Sequence, residues 1–161
     1  MLRFGRFIIM LEEVIMSKKK VIDGLISAVA DSFVLYIKTQ NYHWNVTGPH
    51  FKSLHLMFED QYNDLFSAID LLAERVRAVG SKVPATYAKY AELTHLEEGH
   101  EDLPAEKMIA ELLRDQHIIV KTLSSVLKSA QEIGDEVTAT IVTDRIEVHQ
   151  KNAWMLESSI A

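Results

Sequence analysis

The chain has 161 residues, enough for one domain with its own core and too few to expect two. Hydrophobic residues make up 48% and charged ones 25%, the profile of an ordinary globular protein, and a net charge of -6 argues against a protein built mainly to grip a polyanion. Cysteine is absent, which excludes a disulfide framework and a thiolate metal site, leaves any metal to His, Asp and Glu, and fits a reducing cytoplasm.

The opening residues read differently from the rest. The longest apolar run between Met1 and Ile15 is Phe7 to Leu11, far below the roughly 18 residues needed to span a bilayer, and Glu12-Glu13 closes it without a small-residue cleavage site. Residues 1–15 therefore read as an N-terminal extension that is neither anchor nor signal peptide, and residues 16–161 as a single domain. Two origins fit the extension: an upstream start ahead of Met16-Ser17-Lys18-Lys19-Lys20, or a short amphipathic segment that packs on an assembly.

Helical periodicity begins just after. From about Lys18, Ile22, Ile26, Val29, Phe33 and Tyr36 step by four and three, which predicts a helix to about Trp44. Gly48-Pro49 ends it, since the residue before a proline is pushed out of helical space while proline suits the first turn of a new helix. The next stripe is Leu54, Phe58, Leu65, Ile69, Leu72, Val76 and Val79, with one skipped step at Tyr62 and a stop at Gly80. Residues 81–101 form a connection in which Thr86 to Leu93 predict a short helix. A third long helix starts at Asp102-Leu103-Pro104 and carries Met108, Leu112, Ile119, Leu123, Val126, Ala130 and Ile133. Gly134-Asp135 stops it and caps a fourth helix over Glu136 to Ser158. The expectation is an all-α four-helix bundle with one long crossover.

Two histidines and two carboxylates stand out within this pattern. Asp70 and Glu74 are four apart on one helix face and can reach one ion together. His55 precedes Asp70 by fifteen residues on the same helix, about 22 Å along the axis at 1.5 Å per residue. His43 lies across the Gly-Pro break, so an antiparallel hairpin gathers both histidines at its turn end, remote from the acids. A second copy packed antiparallel about a two-fold axis would bring its acids to these histidines, giving two equal sites per dimer. Imidazole and carboxylate together suit ferrous iron.

The run His43-Trp44-Asn45-Val46, Gly48, Phe51, Leu54-His55, followed by Glu59, Asp70, Ala73-Glu74-Arg75 and Gly80, resembles the signature of the Dps family of ferritin-like mini-ferritins. The likeness extends over about residues 18 to 158, through His149 and Trp154-Met155-Leu156. It implies a ferritin-like bundle, a hollow shell of twelve subunits, and a ferroxidase that oxidises Fe(II) chiefly with hydrogen peroxide and stores the ferric product as mineral. It also implies catalytic and metal-holding roles for His43, His55, Asp70 and Glu74, with Glu59 and His55 on a second, weaker iron, so that two irons occupy each inter-subunit site. Trp44 reads as interface packing, and the resemblance offers as the alternative a redox role beside the iron.

Other candidates rank lower. Glu92-x-x-His95 and Glu97-x-x-His100 have the spacing of bundle-core di-iron ligands, yet both fall in the connection. His117 and His149 read as surface or packing residues. Asp135, Glu136 and Asp144 are candidates for an acidic entry funnel of the kind the resemblance implies, although position 140 is Thr where that family commonly has Asp. DNA binding, which the family name suggests, rests here on Lys18-Lys19-Lys20 alone and is expected to be weak against the acidic whole. A non-catalytic family member would have lost its ligand residues, and all four are present.

Overall fold

The computed structural model describes the backbone of residues 2–160 and the side chains of residues 12–160. Five helices follow one another: α1 Leu2–Asn45, α2 Phe51–Ala78, α3 Tyr87–Leu93, α4 Ala105–Glu132 and α5 Glu136–Ser158. No strand occurs among the described residues. α1 pairs with α2 and α4 with α5 as antiparallel hairpins, and α1 against α4 joins the hairpins into a four-helix bundle. The short α3, capped by the Thr86 hydroxyl accepting from Lys89 N, lies on α1 within the crossover.

The helix ends fall where the backbone chemistry puts them. Gly48, Gly80 and Gly134 all take positive φ, at 113°, 97° and 69°, so each connection turns at a residue without a Cβ. Asp135 caps α5 by accepting from Thr138 N at 3.1 Å. The start of α1 differs from the expectation near Lys18: the helix runs from Leu2, because no proline interrupts it and Gly5 alone weakens it. The run Phe7 to Leu11 falls outside the residues whose side chains are described. Residues 12–20 are exposed or nearly so, and burial begins at Val21, where α1 meets the end of α4.

The apolar stripe of α1 also sits one residue away from its predicted centre. Val21, Leu25, Ala28 and Leu35 are buried together with the predicted Val29, while Ile22, Ile26, Phe33 and Tyr36 flank them. Most of the predicted core of α2 and α4 is in place: Leu54, Phe58, Leu65, Leu72 and Val76 are buried, as are Met108, Leu112, Ile119, Leu123, Val126 and Ala130, while Ile69, Val79 and Ile133 pack partly buried against them.

The gaps in these stripes hold a polar layer. Where α2 skips a step, Gln61 is buried, and between Leu112 and Ile119 sit Asp115 and Gln116. Lys38 of α1, only 1% exposed, donates to Asp115 Oδ2 at 2.6 Å, and His149 Nδ1 donates to Gln116 Oε1 at 2.6 Å. Arg145, one turn from His149, makes a two-pronged pair with Asp64 at 3.0 and 2.7 Å. Nearer the histidine end, Tyr42 donates to the partly buried Glu111, and burial, followed by that hydrogen bond, pushes its phenol well above the ordinary range. Gly99 abuts this layer: a Cβ there would come within 2.7 Å of the Lys38 chain, so the crossover can lie flat only as glycine.

His149 supplies a pH test. Burial, and then the nearby Arg145 charge, lower its pKa from 6.5 to about 3. Between those values the unfolded chain binds a proton that the folded one refuses, so this contribution is whole above pH 6.5 and is lost as pH falls towards 3. Urea titrations should therefore show wild type losing up to about 1.4 kcal/mol per pH unit more than His149→Gln in that window. Parallel slopes for the two proteins would contradict it.

Candidate metal centre

His43 and His55 face each other across the α1–α2 turn. Each ring reaches the backbone of the other residue: His43 Nδ1 donates to the His55 carbonyl and His55 Nδ1 to the His43 carbonyl, both at 2.8 Å. The His43 carbonyl is free for this because it lies in the last turn of α1, beyond the reach of an intrahelical donor. A carbonyl only accepts, so both Nδ1 atoms carry the proton and both Nε2 atoms are left with a lone pair, the form in which imidazole binds a metal. The rings stack at a centroid distance of 3.7 Å. Phe51 lies 5.1 Å from the His55 ring, and Tyr62 meets the His43 ring edge-on at 5.2 Å. His43 is 6% exposed, held between two helices by its own hydrogen bond.

The acids lie elsewhere. Glu59, one turn from His55, is partly buried, whereas Asp70 and Glu74 stand exposed near the other end of α2. None of the three enters an ion pair, and no group of three or more His, Asp or Glu converges on a metal position, among the described residues. One chain therefore brings His43 and His55 together and leaves Asp70 and Glu74 apart from them.

All the same, these residues share a surface. His55, Glu59, Tyr62, Phe66, Asp70 and Glu74 recur every three or four residues and form one stripe on α2. Phe66 is 68% exposed at its centre, and Ile37 and Trp44, two turns apart on α1, are 44% and 65% exposed. Large apolar side chains interleaved with metal-ligand types on an open helical face suit a protein interface better than bulk water.

The lower-ranked candidates are engaged in holding the fold. His95 Nδ1 lies 3.0 Å from Asp31 Oδ2, and Asp31, fully buried, also accepts from His95 N, Thr94 and Thr122. Glu97 pairs with Arg114 at 3.2 Å. His117 is exposed and His149 buried. In the acidic loop, Asp135 is committed to Arg75 at 2.7 Å and to Thr138. Burial raises its pKa, but Thr138 and Arg75 outweigh that and hold the carboxyl below the usual range. That leaves Glu136 and Asp144 as the exposed acids of the trio. Sequence reasoning missed Asp31, Lys38 and Asp115, whose signal was a charge falling at a core position of a helical stripe.

Residues 22–161 match the family model of the ferritin-like domain. A protein of Bacillus anthracis named DNA protection during starvation protein 2 is 36% identical over 140 residues, which is 87% of this chain and 96% of the relative. The crystal structure of Dps from Thermosynechococcus elongatus superposes with a TM-score of 0.89 at 31% identity, covering 92% of this chain and 94% of that one. That of a Dps protein from Vibrio cholerae, described as a member of a broad superfamily of ferritin-like diiron-carboxylate proteins, gives 0.86 at 29% identity, covering 91% and 92%. The chain belongs to the Dps family of the ferritin-like proteins.

The tautomers are testable without iron. Nitrogen-15 NMR of the imidazoles should show Nδ1 protonated and Nε2 bare in both His43 and His55 at neutral pH, with the His55 signal retained in His43→Ala, which keeps the backbone carbonyl of residue 43. Protonation of either ring at Nε2 alone would rule out the reciprocal hydrogen bonds.

Proposed function

We propose that the protein is a ferroxidase and iron-storage mini-ferritin of the bacterial cytoplasm that oxidises Fe(II) with hydrogen peroxide at sites shared between subunits. The reading is carried by the separation of two Nε2-bearing histidines from two unpaired acids along one open face. Fifteen residues of α2 put about 22 Å between His55 and Asp70, too far to share an ion within one chain. An antiparallel two-fold contact over Phe66, Ile37 and Trp44 sets each histidine pair against the partner subunit's Asp70 and Glu74 and completes two sites at once.

In each site the His43 Nε2 and the partner's two carboxylates hold one ferrous ion, and His55 with Glu59 holds the second more weakly. The stacked rings are fixed in the metal-binding tautomer before iron arrives, so no reorientation is needed on binding. The acids offset the charge gained as iron goes from ferrous to ferric. Two ferrous ions beside one peroxide each lose one electron, and peroxide with two protons becomes two waters. Such dimers assemble into a twelve-subunit shell that keeps the ferric product inside.

DNA contact is the second reading, favoured by the names of relatives and by the exposed Lys18, Lys19 and Lys20 on the projecting start of α1. Lys19 is paired with Asp23 at 2.5 Å, and every subunit adds a net -6. Binding is therefore weak and confined to low salt. A mobility-shift titration should show the complex dissolving by physiological ionic strength; retention above it would reverse this ranking.

The principal test compares wild type with Asp70→Ala/Glu74→Ala, given ferrous iron and peroxide. The variant should assemble to the same particle mass but form ferric product at least about tenfold more slowly. Equal initial rates would remove these acids from the mechanism.

A further inference from the structure

Three seams of the bundle carry the paired groups of the buried polar layer. Lys38 meets Asp115 between α1 and α4, His149 meets Gln116 between α4 and α5, and Arg145 meets Asp64 between α5 and α2. In the fourth seam, between α1 and α2, Tyr36 stands against Tyr62 with ring centroids 6.1 Å apart. These contacts fix the height of Gln61. It stands a turn before Asp64 on α2, and α5 runs the other way, so it comes level with His149, a turn beyond Arg145. Across the α1–α2 hairpin, the pairing of Tyr36 with Tyr62 brings it level with Lys38. Gln61 is therefore a member of this layer, and it is only 3% exposed. Yet neither its Nε2 nor its Oε1 has a hydrogen-bond partner among the described residues. The Nε of Arg145, 6% exposed, is equally unpaired. Lys38, with three ammonium hydrogens, makes one hydrogen bond.

We infer that the centre of this layer is a binding site for buried water, held by the Gln61 amide and bridging it to Lys38 Nζ or Arg145 Nε. Polar groups that are shut away from bulk solvent and unmet by protein are ordinarily met by enclosed water. The paired heads are drawn into the seams, and the bulky apolar residues lie a turn to either side, Phe58 with Leu112 and Leu65 with Ile119. The axis at this height is left to the one side chain with no seam of its own, Gln61. The chemistry of the unspent groups selects the occupant. Lys38, Arg145 and the Gln61 Nε2 offer hydrogens, while the Gln61 Oε1 takes one. Water accepts twice and donates twice, so it serves both kinds together. A metal cation would be repelled by Lys38 and Arg145, and an anion would meet the carboxylates of Asp115 and Asp64. The water joins pairs that otherwise stand separately into one network across the bundle, and the site stands independently of any iron chemistry.

The experiment uses the iron-free, full-length protein. A crystal structure of wild type should show a water within hydrogen-bonding reach of the Gln61 amide and of Lys38 Nζ or Arg145 Nε. Oxygen-17 relaxation dispersion, which registers waters held inside a protein, should lose amplitude in Gln61→Leu. The urea midpoint of that variant should fall below wild type, although leucine adds apolar surface to the core, because the Lys38 and Arg145 hydrogens lose their acceptor. An amide that had been dry would behave in the opposite way, and leucine would raise the midpoint. A Gln61 amide that touches only protein in the crystal would overturn the site. So would equal relaxation amplitudes, or a leucine variant at least as stable as wild type. If the variant does not fold, the wild-type crystal structure decides alone.

Discussion

The exchange of hydrogen bonds between His43 and His55 constrains more of this molecule than any other contact at the turn. Each imidazole spends its Nδ1 proton on the other residue's carbonyl, so the two rings, two helix segments and the intervening Gly48-Pro49 turn form one closed unit. Its geometry depends on the end of α1 leaving a carbonyl unclaimed and on Gly48 taking a φ of 113°. Two consequences follow together: the hairpin is pinned at its mouth, and two nitrogen lone pairs are presented side by side. The features that make a helix end awkward, an orphan carbonyl and a broken ladder, are here what fixes the two rings in place.

The rest of the bundle supports that unit by keeping the core from competing with it. A four-helix bundle of this class can hold metal between its own helices when acids and histidines project inward. In this chain the middle of the core is occupied by Lys38 with Asp115, His149 with Gln116, and Arg145 with Asp64. Asp115 and Asp64 already have a cation of the protein's own, and the buried Asp31 is taken up by Thr94, His95 and Thr122. Removing one partner of such a buried pair would be costly, on the order of 3–5 kcal/mol, since the survivor would be left charged in a medium that solvates it poorly. Glu59, Asp70 and Glu74, which enter no ion pair among the described residues, lie along the stripe that also carries His55.

Much of this was legible in the residue order. The helices that pack the core declared themselves through apolar spacing, and their ends through Gly48-Pro49, Gly80 and Gly134-Asp135, because glycine and proline restrict the backbone in ways that neighbours rarely override. The pairing of His43 with His55 followed from a hairpin at the Gly-Pro break, and the remoteness of Asp70 and Glu74 from simple helical rise. The buried polar layer was not legible. A lysine or aspartate at a core position looks like a solvated face until its partner is known, and Lys38 and Asp115 are 77 positions apart. The same ambiguity moved the stripe of α1 by one residue, since Asp31 and Lys38 belong to the buried side and pull the apparent apolar centre away from it. The reciprocal carbonyl bonds were hidden for another reason: they involve backbone atoms, which leave no trace in residue identity.

Lys38 at the heart of the bundle has a further consequence for how the protein lives with its cargo. Many small metalloproteins collapse when stripped of their ion, because the ion neutralises side chains that would otherwise repel one another. Here a tethered ammonium and a tethered guanidinium do that work permanently. The fold therefore does not depend on a metal ion to neutralise its core, and the chain can keep one shape whether or not iron is bound.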